Sequence, residues 1–224
     1  MQIEPIATIE NRFTEKFGIP RQSGKVKNIS KIIFAEKYRT NDAIRGIDGF
    51  SHIWLIFDFS LAHRDEHSLT VRPPRLGGNK RMGVFATRSP YRPNSLGLSA
   101  VKLLGVEETE KGPVLLVEGA DLLNGTPIYD IKPYVPYSDS IPSAAGGFTE
   151  ENADYYLDVL FEVDTKNINS DIISEIKEIL REDPRPQYKE DGDKVYKMRY
   201  AGFDISFSVK DKCARVIKID EKKI

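Results

Sequence analysis

Residues 52–60 read HIWLIFDFS, and this run of β-branched and aromatic side chains decides the fold class. Its apolar side chains alternate, so Ile53, Leu55, Phe57 and Phe59 are predicted to share one face of a strand. Similar short runs occur along the first half of the chain, at 1–9, 32–36, 82–87, 98–108 and 113–123. Because Gly and Pro separate these runs, they predict an antiparallel barrel or sandwich rather than alternating strands and helices.

The later part of the chain contains one convincing helix. Asn169 or Ser170 is predicted to cap it, and Asp183-Pro184 to end it. Its apolar side chains recur at helical spacing on one face, at Ile172, Ile173, Ile176, Ile179 and Leu180. Two or three strands follow it, which indicates a small α+β unit.

Domain boundaries follow from a flexible segment. Residues 138–149, SDSIPSAAGGFT, are small and polar and predict a linker, with a strand at 155–163 beyond it. The sequence therefore predicts a mostly β domain over 1–145, with one short helix near 42–47, and an α+β domain over 150–224.

Composition excludes several classes of protein. The chain has 224 residues and 40% hydrophobic residues, enough for a sizeable core, so disorder is excluded as its main state. No run approaches the roughly 18 apolar residues of a membrane span, and the start, MQIEPIATIE, lacks the basic region of a signal peptide. The single Cys213 excludes an internal disulfide. A cytoplasmic protein that does not enter the membrane is expected.

Charge is unevenly distributed although the net charge is only −1. No Asp or Glu occurs between Glu66 and Glu107, whereas that window contains Arg72, Arg75, Lys80, Arg81, Arg88, Arg92 and Lys102. Such an island indicates a surface for phosphates, carboxylates or nucleic acid. The alternative is a basic loop that is merely solvated on one side of the fold.

Common enzyme motifs are missing. The chain has no G-x-G-x-x-G, P-loop, G-x-S-x-G or H-E-x-x-H motif, so a Rossmann cofactor domain is not expected. His52, His63 and His67 do not form metal-ligand spacing with Cys213, and no metal is expected.

Three polar segments between the predicted strands stand out instead. VRPPRLGG at 71–78 and ATRSPYRPNSLGLS at 86–99 place arginines on proline-stiffened turns, which suits a grip on carboxylate or phosphate. GADLLNGTPIYDIKPYVPYSDS at 119–140 combines aspartates with tyrosines. Turn building explains Asn-Gly and proline in any one segment, but three such segments within 70 residues favour a functional site.

These segments resemble those of one family. RPPRLGG, RMGVFATRSPYRPNSLGLSAVKL and GADLLNGTPIYDIKPYVPYSDS, together with IPRQSG at 19–24 and DPRPQY at 183–188, are similar to the TsaA/TrmO family over nearly the whole chain. The resemblance implies a small antiparallel, non-Rossmann β-barrel with a C-terminal α+β domain, assembled as a homodimer. It implies a methyltransferase that uses S-adenosylmethionine to methylate N6 of threonylcarbamoyl-adenosine 37 in threonine tRNA.

The resemblance also implies cofactor contacts, residue by residue. They are Pro20, Arg21 and Gln22 of the PRQ motif, His63 and Arg64 after the 52–60 strand, Arg88, Leu98, and Asp121, Leu122, Leu123 and Asn124. Arg64 stands where the family often has Gln or Asn, and Asn124 where it often has Asp. From the chemistry of the cofactor, Arg21 or Arg88 suits its carboxylate, and Asp121 its hydroxyls or ammonium.

Candidate RNA contacts come from both domains. Arg72, Arg75 and Arg92 are expected to face the anionic anticodon loop. In the C-terminal turn, Arg185 and Tyr188 are expected to stack on an unpaired base and pair with phosphate; alternatively this turn only ends the helix and packs the small domain.

The reaction implied is an in-line displacement at a methyl carbon by an exocyclic nitrogen, for which alignment supplies much of the acceleration. The nitrogen must lose a proton, and the sequence leaves Asp130, Asp139, Tyr137 and His63 open as acceptors. No catalytic residue is therefore assigned.

Two other functions remain open from the sequence. A non-catalytic RNA- or nucleotide-binding barrel would use the same basic island, with strongly salt-dependent binding and no affinity for S-adenosylmethionine. The other possible function is an enzyme that uses another small anionic cofactor.

Overall fold

The computed structural model describes residues 2–66, 68–76, 80–152, 154–185 and 194–221, and at Arg75, Glu151 and Asn152 the backbone alone. In chain order the strands and helices are β1 Ala7–Glu10, β2 Ile29–Phe34, β3 His52–Asp58, β4 Thr70–Val71, β5 Met82–Gly83, β6 Leu96–Thr109, β7 Gly112–Glu118, β8 Pro127–Pro133, α1 Pro136–Asp139, β9 Asp158–Phe161, α2 Ser170–Arg181, β10 Val195–Tyr200, β11 Phe203–Lys210 and β12 Cys213–Glu221. Short 3₁₀ turns occur at Glu36–Tyr38, Ile47–Gly49, Pro74–Leu76, Val84–Ala86 and Gly147–Asn152.

Six strands close into an antiparallel barrel in the order β1, β2, β7, β6, β3, β8. The predicted alternation of the 52–60 run is confirmed, because Ile53, Leu55 and Phe57 face the barrel interior and are at most 2% exposed. Gly97 of β6 pairs with Phe57, and a Cβ at Gly97 would overlap the Phe57 ring. The mostly β barrel with a small C-terminal α+β unit is thus the observed fold.

Three local predictions for the first domain were wrong. Residues 42–46 form turns rather than a helix, and Gly46 has a φ of 83° that only glycine adopts without strain. The 82–87 run is a strand only at Met82–Gly83 and then becomes a 3₁₀ turn. The polar segment 119–140 contains β8, which pairs with β1 and β3 and closes the barrel.

The C-terminal unit is a four-stranded sheet in the order β10, β11, β12, β9, with α2 against it. The predicted helix is confirmed: the Asn169 side chain accepts a hydrogen bond from the Asp171 amide at 2.7 Å, and Ile176, Ile179 and Leu180 are buried. Only β9 and β12 pair in parallel, because α2 and two strands separate them along the chain.

The hydrophobic core of this C-terminal unit also takes side chains from the barrel domain. Phe13 and Val26 lie in the β1–β2 connection, residues 11–28, yet both are buried among the residues of α2 and β10–β12. Phe17 and Ile19 pack against the same core. The β1–β2 connection is therefore held in place by the C-terminal unit.

Polar contacts fix the same junction. Glu175 of α2 accepts hydrogen bonds from Arg12 Nη1 at 2.6 Å and from the Tyr200 hydroxyl at 2.9 Å. The Lys27 amide donates to Glu178 Oε2 at 2.7 Å. Burial and the Glu175 carboxylate raise the pKa of Tyr200, so its hydroxyl remains a donor.

No helix in the described part of the chain has both the length and the apolar composition needed to cross a membrane.

Candidate functional site

The three connections at one end of the barrel carry the motifs singled out from the sequence. Antiparallel pairing places the ends of β1, β3 and β7 beside the starts of β2, β6 and β8. The connections at that end are residues 11–28, 59–95 and 119–126. They contain the PRQ motif, the arginine-bearing turns and the DLLNG turn, respectively. Segments distant in sequence thus meet at one end of the barrel.

Asp121 is the centre of a polar cluster at this end. Ser99 Oγ of β6 donates to Asp121 Oδ1 at 2.6 Å, and Ser99 is buried. Arg88 is close enough to interact electrostatically with the same carboxylate, and its Nη1 donates to Gln22 Oε1 at 2.5 Å. Gln22, Arg88 and Asp121, predicted separately as cofactor contacts, are therefore connected in one cluster.

Burial raises the pKa of the Asp121 carboxyl group, and this effect exceeds the opposing influence of Ser99, the Asp121 backbone and Arg88. The cost of burying the ionised Asp121 carboxylate is thus not fully offset by its neighbours in the protein. A ligand that brings an ammonium group or hydroxyl donors would complete its hydrogen bonding.

This pKa shift makes a testable prediction about stability. Relative to Asp121→Asn, the free energy of unfolding of the wild type should increase as pH falls from about 8 to about 4. The reason is that a carboxyl group with a raised folded-state pKa holds its proton more tightly in the native state, and this stabilisation is lost as pH rises through that pKa. Urea denaturation of both proteins across this range measures the difference; a difference that grows with pH would contradict the assignment.

A cleft of about 350 Å³ lies on the outer side of the same barrel end. Asp58, the last residue of β3, and His63 line it, with His63 Nε2 2.6 Å from Asp58 Oδ1. The Asp58 side chain is 10% exposed and that of His63 62%, so the imidazole faces the cleft while its partner lies beneath it. Arg64, also at the cleft, stacks its guanidinium 4.0 Å from the centre of the Tyr91 ring.

Tyr129 of β8 lines the cleft opposite the loop residues. Burial, and secondarily the Asp58 carboxylate, raise the pKa of Tyr129. Its hydroxyl is therefore a neutral hydrogen-bond donor and acceptor at physiological pH. The cleft thus combines a histidine–aspartate pair, a phenol and a cation.

Several apolar side chains are exposed at this end of the barrel, and one of them, Leu96, lines the cleft. Leu96 and Leu98 point outward from β6 and are 39% and 55% exposed, and Phe85 on the neighbouring connection is 76% exposed. Ser99, which points the other way, reaches Asp121. Since a strand rises roughly 3.3 Å per residue, Leu96 and Ser99 place the cleft and the Asp121 cluster about 10 Å apart along β6.

The other predicted cofactor residues are engaged elsewhere. Arg21 Nη2 donates to the carbonyl oxygens of Asp183 and Arg185 at 3.2 and 3.1 Å, across the junction with the C-terminal unit. Leu122 is in the barrel core, 1% exposed, and its carbonyl accepts from Asn11 Nδ2 at 2.8 Å. Any ligand contact by Leu122 at this end therefore involves its backbone.

Pro20, Leu123 and Asn124 help to shape the two connections. Pro20 is buried beside Arg21, the Leu123 carbonyl accepts from Thr126 in a tight turn, and Asn124 Oδ1 accepts from the Asn11 amide at 3.0 Å. The Asn124 side chain therefore ties the DLLNG turn to the end of β1.

Among the predicted RNA contacts, Arg72 and Arg92 lie on the 59–95 connection near the cleft. Arg72 is exposed, and Arg92 Nη1 donates to the Thr87 carbonyl at 3.2 Å. The Arg75 side chain and Tyr188 lie outside the described part of the structure.

Arg185 is placed differently from the RNA-stacking role expected of it. Its Nε and Nη2 donate to Asp183 Oδ1 and Oδ2 at 2.8 and 2.9 Å. The Arg185 side chain is 14% exposed and that of Asp183 is 1% exposed. Its guanidinium is thus engaged in a buried bidentate pair, as the packing alternative expects, and an RNA contact by Arg185 stays a prediction.

The four candidate proton acceptors lie in different surroundings. Asp139 accepts from the Val135 amide and from Trp54 Nε1, and these hydrogen bonds lower its pKa. Asp130 pairs with Lys132 at 3.0 Å, and Tyr137 projects into solvent with 93% exposure. His63 alone of the four lines the cleft.

Sequence reasoning missed Ser99, Asp58 and Tyr129. Asp58 had a signal, since a carboxylate inside the apolar run of 52–60 must have a partner when buried. Ser99 and Tyr129 lie in the polar segments 86–99 and 119–140 that were singled out, but nothing in the sequence separates them from the other residues of those segments.

Comparison with known proteins bears on both halves of the chain. A family model described as the tRNA-methyltransferase O N-terminal domain matches residues 8–140, and one described as the TrmO C-terminal domain matches residues 157–222. The chain belongs to the TrmO family.

Members of the TrmO family resemble the chain along its length. It is 37% identical over 231 residues to the tRNA (adenine(37)-N6)-methyltransferase of Escherichia coli strain K12, covering 99% of this chain and 98% of that one. The enzyme of the same name from Eikenella corrodens is 44% identical over 162 residues, covering 71% and 91%. The crystal structure of TrmO from Pseudomonas aeruginosa superimposes with a TM-score of 0.77 at 31% identity, covering 98% of both chains.

Proposed function

We propose that the chain is an S-adenosylmethionine-dependent tRNA methyltransferase that methylates N6 of threonylcarbamoyl-adenosine 37 in threonine tRNA. The observation that carries this proposal is the meeting of three motif-bearing connections at one barrel end, around the Asp121 cluster and the adjoining cleft. Full-length similarity to a tRNA (adenine(37)-N6)-methyltransferase supports the same reaction.

The Asp121 cluster fits the polar parts of S-adenosylmethionine. Arg88 suits its carboxylate, and the incompletely compensated Asp121 carboxylate suits an ammonium or hydroxyl group. His63 and Arg64 line the cleft, and Leu98 is exposed on β6 between the cleft and the Asp121 cluster. Pro20, Arg21, Leu122, Leu123 and Asn124 shape the site through the backbone and the junction. The bound cofactor supplies the electrophilic methyl group; the protein orients and shields it.

The arginines of the 59–95 connection suit the nucleic acid. Arg72, Arg75 and Arg92 lie in a window of the sequence without acidic residues, on the connection whose residues 63, 64 and 93–95 line the cleft. Each phosphate contact of this type adds salt-dependent affinity. We therefore assign the anticodon loop to this side of the barrel.

A homodimer is part of the proposal. Leu96 lines the cleft, and Leu98 on β6 and Phe85 on the 59–95 connection are also exposed. Association with a second copy would cover these apolar side chains. Light scattering at micromolar concentration tests this; a fully active monomer would remove it. The domain division at 1–145 and 150–224 and a cytoplasmic location remain predictions of the same proposal.

Arg88→Ala should weaken S-adenosylmethionine binding by about 1.5–3 kcal/mol, because a charge-assisted hydrogen bond to the ligand is lost. Titration calorimetry on the folded variant measures this. Arg45→Ala is the matched control, since Arg45 is an exposed arginine of the connection at the opposite barrel end. Unchanged affinity in Arg88→Ala would remove Arg88 from the site.

The reaction itself is tested with threonine tRNA that carries the threonylcarbamoyl group. The tRNA is incubated with the protein and S-adenosylmethionine, and its nucleosides are analysed by mass spectrometry. A gain of one methyl group on the modified adenosine is expected. Salt-dependent RNA binding without affinity for the cofactor would instead favour a non-catalytic RNA-binding barrel.

A further inference from the structure

Asp58 and His63 form a pair whose chemistry the cofactor contacts leave unused. Asp58 ends β3 and is 7% exposed, whereas the His63 ring projects into the cleft. The 2.6 Å distance between Asp58 Oδ1 and His63 Nε2 is that of a strong hydrogen bond to a carboxylate.

This contact selects one tautomer of His63. An ionised carboxylate only accepts hydrogen bonds, so Nε2 must be the protonated nitrogen. Nδ1 of the neutral ring then has an available lone pair. Within the described residues, His63 hydrogen-bonds through Nε2 and makes no hydrogen bond through Nδ1.

We propose that the His63 imidazole is the proton acceptor of the methyl transfer and that Asp58 is its positioning residue. This inference rests on the function proposed above. The lone pair of N6 forms the N–CH3 bond, the C–S bond breaks with its electron pair going to sulfur, and the N6 proton moves to His63 Nδ1. The sulfonium becomes a neutral thioether, and the imidazolium is held by the Asp58 carboxylate.

The other polar groups at the cleft have different roles. Arg64 is a cation stacked on Tyr91, and Tyr129 keeps its proton because its pKa is raised. Neither is suited to take a proton from nitrogen at neutral pH.

His63→Gln should lower kcat by about 10²–10⁴-fold, the range of a lost general base, with little change in the Kd of the cofactor. Asp58→Asn should lower kcat by about 10–100-fold, because the Asn amide donates to Nε2 and moves the ring proton to Nδ1. Asp65→Asn, an exposed neighbouring acid, is the matched control and should match the wild type.

The decisive readout is kcat in the folded Asp58→Asn variant, because a merely structural hydrogen bond would leave kcat unchanged; the tautomer shows whether the ring proton has moved as the proposal requires. ¹⁵N NMR of the histidine side chains should show His63 protonated at Nε2 in the wild type and at Nδ1 in Asp58→Asn. If Asp58→Asn fails to fold, imidazole should restore activity to His63→Gly.

The outcomes separate the two proposals. An active wild type with equally active His63 variants, or with His63 protonated at Nδ1, overturns the dyad and leaves the methyltransferase intact. A wild type that binds tRNA but transfers no methyl group overturns both.

Discussion

Arg185→Ala should lower the free energy of unfolding by about 3–5 kcal/mol, because it leaves a buried carboxylate without its cation. Among the described residues, the side-chain donor left to Asp183 would be the Tyr155 hydroxyl, 3.1 Å from its Oδ2. Urea denaturation of the full chain measures the loss. Arg199→Ala is the matched control, since the Arg199–Asp204 pair is about half exposed and should contribute far less.

The same variant decides whether Arg185 contacts RNA. Below its lowered melting temperature, Arg185→Ala should keep the KM for tRNA of the wild type. A raised KM with unchanged stability would restore the RNA contact expected from the sequence and contradict the packing role.

Glu175→Ala should lower the free energy of unfolding by about 2–4 kcal/mol. The substitution leaves the buried Tyr200 hydroxyl without its acceptor and removes the partner of Arg12. Because Arg12 lies near the start of the connection that carries Gln22, cofactor affinity should fall as well.

Arg215→Ala provides the comparison for Glu175→Ala. Its pair with Glu162 lies on the same C-terminal sheet but is nearly half exposed, so stability and cofactor affinity should both stay near those of the wild type. If both variants lost equal stability and cofactor affinity, the Glu175 contacts at the junction would have no particular effect on the cofactor site.

Periodicity predicted the elements that bury one regular face. The alternation of 52–60 identified β3, and the spacing of the isoleucines identified α2 with its cap at Asn169. In both elements the hydrophobic pattern of the sequence matches the face that is buried, so the sequence alone was enough to predict them.

Elements whose conformation depends on distant partners were not predictable in this way. β8 has prolines at both ends and a polar middle, and only pairing with β1 and β3 makes it a strand. The Asp121 cluster likewise unites three connections, an arrangement that barrel closure produces and no single segment encodes.

Arg185 shows the same limit for a single side chain. An arginine beside prolines resembles an RNA-binding turn, but Asp183, two residues earlier, is 0% exposed and captures the guanidinium. Burial of Asp183, which the sequence does not report, determines how the Arg185 guanidinium is paired in this structure.

The β1–β2 connection places a constraint on how such domains can be recombined during evolution. Cutting the chain between residues 140 and 157 separates two continuous sequence segments. It also removes the core that buries Phe13 and Val26, so both side chains would become exposed. A descendant that kept the barrel and exchanged its C-terminal unit would need compensating substitutions at those two positions, or a new unit that presents a matching apolar surface. Fewer C-terminal units can therefore be exchanged at this boundary than the linear order of the domains suggests.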